Sequence, residues 1–176
     1  MNPWHAINPG TLKEVNAFIE IPKGSRNKYE LDKETGFIKL SRVLFSPFHY
    51  PLNYGFIPRT LAKDNDPLDC MVLGDELHPE TIVAVRVIGL LKINDEGQVD
   101  DKILAVPVHD PRFDEYRSIR HVPKHLLKEV QHFFTHYKDL ESKKINVIKW
   151  LHGRVAKKEI KRALLRYKKE FYQDVL

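Results

Sequence analysis

Hydrophobic positions change period near the middle of the chain. In the first half they come in short β-favouring runs: VNAFIEI at 15–21, and KYELDKETGFIKLSRVL at 28–44, which is interrupted by Thr35-Gly36. That turn dipeptide predicts a hairpin. A passage carrying Pro47, Pro51 and Pro58 leads to the polar stretch DNDPLDC at 64–70. TIVAVRVIGLLKI at 81–93 and ILAVPV at 103–108 then read as strands. Pro107 predicts that the latter is an edge or terminal strand. Beyond Pro123, suited to the first turn of a helix, Leu126, Val130, Phe133 and Tyr137 fall on one helical stripe. INVIKWL at 145–151 predicts a further strand, and Ile160, Leu164, Tyr167 and Phe171 a second helix over about 156–171. Short strands followed by amphipathic helices predict an α+β fold with a mainly β core, its antiparallel sheet curled or closed and packed by helices.

The 176 residues, 42% apolar and 30% charged, suit one compact domain across 1–176. The single cysteine, Cys70, excludes an intrachain disulfide framework and a Cys-rich zinc module. The first thirty residues carry no basic segment followed by an apolar one. No apolar run approaches the roughly 18 residues of a membrane span. The expectation is a cytoplasmic protein with no membrane partner.

Net charge is +5, which first suggests a polyanionic partner. Its distribution changes that picture. Between Asp64 and Asp114 twelve acidic residues face four basic ones, a balance of −8 that leaves +13 for the remainder. The basic excess is heaviest in RVAKKEIKRALLRYKK (154–169), with eight Lys/Arg against the lone Glu159. We expect the basic face of that helix to be mainly solvated.

The acidic middle has a pattern. Asp64, Asp66 and Asp69 lie within six residues, and carboxylates brought together repel unless a multivalent cation offsets the charge. Hard oxygen donors favour Mg2+ or Mn2+ over softer metals. An EF-hand calcium loop is excluded by Asp69 where its Gly is needed, by Asp75 where its Glu is needed, and by Pro67 in the turn. On this segment alone an acidic surface turn fits as well as a metal site.

A second cluster, NDEGQVDDK at 94–102, gathers Asp95, Glu96, Asp100 and Asp101 around Gly97 at a hairpin end. Lys28, Arg42, Lys102 and Lys138 lie in or beside elements carrying Tyr29, Tyr50, Tyr54 and Tyr137. Such side chains suit a small, highly charged oxyanion. Carboxylates, divalent metal and cationic clamps together describe phosphoryl transfer or hydrolysis.

The chain resembles the family I soluble inorganic pyrophosphatases from about Asn16 to Glu141. The most specific likeness is D-x-D-P-x-D, here Asp64, Asp66, Pro67 and Asp69. IEIPKGSRNKYELDKETG (19–36), YPLNYGFIP (50–58), GDELHPETIVAVRVIG (74–89), the 95–102 run and FFTHYKDLE (133–141) support it. The resemblance implies a five-stranded OB-like closed barrel with flanking α-helices, and cleavage of diphosphate into two phosphates. It makes Asp64, Asp69 and Asp100 ligands of tightly bound Mg2+ ions. Asp95, helped by Asp100 and Glu20, would hold metal arriving with substrate. Asp66 would orient or deprotonate the attacking water. Lys28, Arg42, Tyr54, Tyr137 and Lys138 would bind phosphate, with Lys102, Glu30 and Tyr50 supporting. Two positions depart from the family pattern, Ser41 where Asp is common and Asn65 where Gly is usual, and from Lys143 onward the likeness thins.

The rival reading is an OB-like nucleic-acid-binding module using the basic helix and aromatics. The carboxylates argue against it, because a groove tracking phosphates does not concentrate −8 in its central loops without metal. His125, Glu129, His132 and His136 form a stripe on the first long helix. We expect it to be exposed or subunit-facing rather than a zinc site. Short members of the family are commonly homohexamers, which implies a hexamer with this stripe at or near a contact.

Overall fold

The computed structural model of the chain describes residues 1–172. The elements run α1 (Pro3–Ala6), β1 (Val15–Ile21), β2 (Asn27–Leu31), β3 (Ile38–Val43), β4 (Asn53–Ile57), β5 (Leu68–Val72), β6 (Ile82–Asp95), β7 (Gln98–Val99), β8 (Lys102–Pro107), α2 (Lys124–His136), β9 (Ile145–His152) and α3 (Gly153–Phe171). The fold is α+β with a mainly β core.

Five strands close on themselves. The order β1-β4-β5-β8-β6 returns to β1 through antiparallel pairing of Val15 with Val85 and Phe18 with Ile82. This is the five-stranded OB-like barrel, and closure leaves its strands without free edges. The second half of β6 runs beyond the ring and pairs with β9, Leu91 opposite Trp150. β2 and β3 form a separate hairpin, with Lys28 opposite Arg42. Gly36 takes φ 76° in its turn, a left-handed conformation that glycine adopts without steric cost.

Several elements differ from the sequence expectation. Residues 53–57 and 68–72 are strands, the latter taking the last three residues of the acidic stretch 64–70 out of the turn. Pro107 does end β8, but that strand lies between β5 and β6 rather than at an edge. Its pairing with β5 is parallel, so the sheet is not wholly antiparallel. Pro123 caps α2 from outside, and α3 begins at Gly153.

Strand alternation sorts the core. On β5, Leu68, Cys70 and Val72 join Ile103 and Ala105 of β8 in a cluster reaching Ala156, Ile160 and Ala163 of α3. Met71, Leu104 and Val106 point the other way, into a cluster with Val130, Phe133 and Phe134 of α2. A third cluster packs Trp4 of α1 against Phe56 and Tyr167. The close approach of β1 to β4 depends on Gly55, because a Cβ there would lie 1.9 Å from the Phe18 carbonyl oxygen.

Candidate active site

The pleat that buries Met71 and Leu104 also aims two charged side chains. Asp69 is two residues from Met71 and Lys102 two from Leu104, so both emerge on the α2-facing side where the sheet opens. Tyr54 reaches the same place from β4 and donates its hydroxyl to Asp69 Oδ2 at 2.5 Å. Lys102 Nζ stands 2.6 Å from Asp69 Oδ2 and 2.7 Å from Asp100 Oδ1. The second carboxylate cluster is placed by a tight hairpin. Glu96 and Gly97 take φ 49° and 91° between β6 and β7, leaving Asp95 at the strand end with Lys138 Nζ 2.6 Å from its Oδ2.

A cleft of about 650 Å3 gathers these groups. Of the residues expected from sequence, Glu20, Lys28, Glu30, Tyr50, Tyr54, Asp64, Asp66, Asp69, Asp95, Asp100, Lys102, Tyr137 and Lys138 line it. Arg42 stands outside that lining, its Nε 3.0 Å from Glu141 Oε1. A smaller hollow of about 190 Å3 adjoins the cleft, lined by Asp64, Asp95 and Asp100 together with Glu96 and Gln98.

Sequence reasoning missed the hairpin turn. Asp32, Lys33, Glu34 and Lys39 also line the cleft. Lys33 bonds the Asp66 carboxylate and the Asn65 carbonyl, and lies 5.5 Å from the Trp4 ring centroid. Only the position of Lys33 inside the 19–36 block pointed to it, and no spacing rule connects it to Asp66. Asn65 takes φ 68°, a left-handed conformation tolerated by Asn, so the departure from Gly preserves the turn.

Burial and charge set the protonation states. Burial pushes the Glu20 carboxyl up to about 8, opposed by the Leu31 amide bonded to it at 2.7 Å. Burial also raises Asp64. Burial, reinforced by Asp100, holds Asp69 above the usual carboxylate range although Lys102 opposes it. For Lys102 burial would favour the neutral amine, but Asp100 and Asp69 outweigh it and keep the ammonium charged. Burial would likewise raise Asp100 and Glu30, and their partners Lys102 and Lys28 outweigh it and hold both low. Tyr54 and Tyr137 are raised by burial and stay protonated, and the Tyr54 hydroxyl donates to Asp69.

The donor set fits divalent cations. Asp95 Oδ1 is buried without a hydrogen-bond partner, and the carboxylates around it are hard oxygen donors. Among the described residues no three His, Cys, Asp or Glu side chains already converge as a metal-binding group. Lys102 and Lys138 occupy carboxylates that a cation would compete for.

A closed barrel with carboxylates and lysines alternating across one cleft defines a protein of the class that handles small, highly charged oxyanions with divalent cations. The model of the family described as inorganic pyrophosphatase matches residues 17–168. The inorganic pyrophosphatase of Geobacillus stearothermophilus is 50% identical over 159 residues, covering 90% of this chain and 96% of that one. That of Picrophilus torridus is 42% identical over 172 residues, covering 96% and 97%. A crystal structure of inorganic pyrophosphatase from Thermus thermophilus superposes with a TM-score of 0.92 at 42% identity, covering 96% of this chain and 99% of that one. The chain belongs to the inorganic pyrophosphatase family. The match to residue 168 extends past Glu141, where the sequence motifs stop, and takes in most of α3. These relationships do not favour the nucleic-acid-binding alternative.

Proposed function

We propose that this cleft hydrolyses inorganic diphosphate to two orthophosphates, with Asp66 orienting and deprotonating the attacking water. The observation carrying this reading is the convergence of Asp64, Asp69, Asp95 and Asp100 with Lys28, Lys102, Lys138 and the Tyr54 and Tyr137 hydroxyls in one cleft. Asp64, Asp69 and Asp100 would hold tightly bound Mg2+, replaceable by Mn2+, and Asp95 with Asp100 and Glu20 would hold a cation entering with substrate. Such cations, when bound, lower the pKa of water towards about 7 and neutralise phosphate charge.

The chain's own groups do the rest. Lys28 and Lys138 leave Glu30 and Asp95 to bind phosphate oxygens, joined by Tyr54 and Tyr137 and by Arg42 once it turns from Glu141 into the cleft. Lys102 stays between Asp69 and Asp100 and fixes their spacing. Glu30 holds Lys28, and Tyr50 packs its ring 5.5 Å from that of Tyr54. Asp66, more than half exposed and held by Lys33, accepts the proton from water.

Phosphate release from diphosphate in Mg2+ tests this reading. Asp66→Asn should reduce turnover by roughly 100-fold or more with the fold intact. Wild-type turnover in that variant overturns the role of Asp66. Salt-dependent oligonucleotide binding without phosphate release overturns the function.

A cytoplasmic homohexamer is part of the same proposal and rests on the family. On the stripe of α2, His125, Glu129 and His132 are exposed and His136 is half-buried: His125 and Glu129 approach to 3.4 Å, and the His132 and His136 rings lie 4.6 Å apart. Sedimentation that finds only monomer at both about pH 5 and about pH 8 overturns the assembly.

A further inference from the structure

The basic terminal helix contains charges that the cleft does not use. Around the first turn of α3 a second cavity of about 650 Å3 opens, and no residue lines both it and the carboxylate cleft. Its cations are Arg117 and Arg120, from the loop before α2, and Arg154 and Lys157 of α3; no carboxylate lines it. Val87 and Val155 supply apolar surface.

The four cations lack the partners that neighbouring basic residues have. Glu159 takes Arg166 at 2.8 Å and Arg162 at 3.5 Å. Among the described residues, Arg117, Arg120, Arg154 and Lys157 make no side-chain hydrogen bond or ion pair. Gathering like charges without a counter-ion is unfavourable, and the cost falls when an anion occupies the space between them.

The loop carrying the two arginines is held in place. Arg86 donates to the Phe113 carbonyl at 2.5 Å and to the Tyr116 carbonyl at 3.2 Å. Ile119 is buried over β6, so close that a Cβ on Gly89 would meet its Cδ1 at 3.0 Å. The loop wall of the cavity is therefore held in place, while the Arg117, Arg120 and Arg154 side chains it carries or faces are exposed.

We propose that this cavity is a second anion site, taking a phosphorylated organic molecule of nucleotide size. Three guanidinium groups match phosphate oxygens in fork geometry. The volume lies within the roughly 300–1,000 Å3 of small-molecule sites and far exceeds what one phosphate fills. The valines receive the uncharged body of the ligand.

Equilibrium dialysis of ADP against the full chain, in EDTA and low salt, tests the site. ADP should bind, and the double variant Arg120→Glu with Arg154→Glu should bind it at least roughly tenfold more weakly. Lys28→Ala in the carboxylate cleft should leave ADP affinity unchanged. The milder Arg120→Gln with Arg154→Gln pair, with an unaltered melting curve, should show an intermediate loss and serves where charge reversal prevents folding. Absence of ADP binding, unchanged affinity in both double variants, or loss in Lys28→Ala overturns the site. Orthophosphate binding as tightly as ADP overturns the assignment to an organic phosphate.

Discussion

Lys102 holds its ammonium 2.6 Å from Asp69 Oδ2 at the point where the barrel opens onto the cleft. The lysine side chain is only 4% exposed and the aspartate 24%, so the pair is shielded on one side and open to ligand on the other. The same ammonium serves Asp100. Removing it leaves two neighbouring carboxylates without a counter-charge. Lys102→Met should destabilise the metal-free protein by about 2–4 kcal/mol, below the full cost of breaking a buried pair because the cleft admits water. Urea unfolding in EDTA measures this, and a change under about 0.5 kcal/mol contradicts the role given to Lys102.

Glu20 links stability to pH. Its folded pKa, raised from 4.5 to about 8 by burial, lies above that of the unfolded chain. Its contribution to stability is therefore fully present below about pH 4.5 and is lost as pH rises through 8. Asp69, also raised, acts in the same direction. The metal-free protein should lose up to about 5 kcal/mol between these limits through Glu20, and Glu20→Gln should flatten that slope. Melting in EDTA from about pH 5 to about pH 9 checks it, and an equal slope in the variant refutes it.

How much of this was legible follows from what each signal encodes. The long β6 strand showed as a continuous β-branched run, the 28–44 hairpin through its Thr35-Gly36 turn, and both helices through the apolar stripes they bury against the core. β4 and β5 did not. Every residue of β4 is buried, so no polar alternation marks it. β5 carries Asp69 in a run that reads as an acidic turn up to Cys70. Motif resemblance placed Asp64, Asp66, Asp69, Asp95 and Asp100 together, and the structure gathers them in the cleft lining. Lys33 was hidden because its contact with Asp66 joins segments that only the closed barrel and hairpin bring together.

Gly55 tests barrel closure. It sits opposite Ile19 in the β1–β4 pairing, and a methyl group there would overlap the Phe18 carbonyl. Two backbones would have to separate, since no flexible side chain is available to move. Gly55→Ala should cost at least about 2 kcal/mol, or prevent folding. A denaturant midpoint within error of the parent would show that the strands tolerate wider spacing.

A divalent cation held by Asp95, as proposed, would compete with Lys138. The ammonium stands 2.6 Å from Oδ2 while Oδ1 is buried without a partner, so the carboxylate is half satisfied. A cation binding there must displace or share with the lysine. In the proposed reaction the displaced lysine turns to phosphate. Lys138→Met should then separate two quantities that a merely structural role would move together. Mg2+ should bind the free protein roughly 5–10-fold more tightly, because no ammonium repels it or occupies Oδ2. The KM for diphosphate should rise about tenfold or more, because a phosphate contact is gone. Isothermal titration with Mg2+ and steady-state kinetics with diphosphate read the two directions. Weaker Mg2+ binding in the variant would show that Lys138 shapes the metal site instead of competing with it. An unchanged KM would remove Lys138 from the phosphate-binding groups.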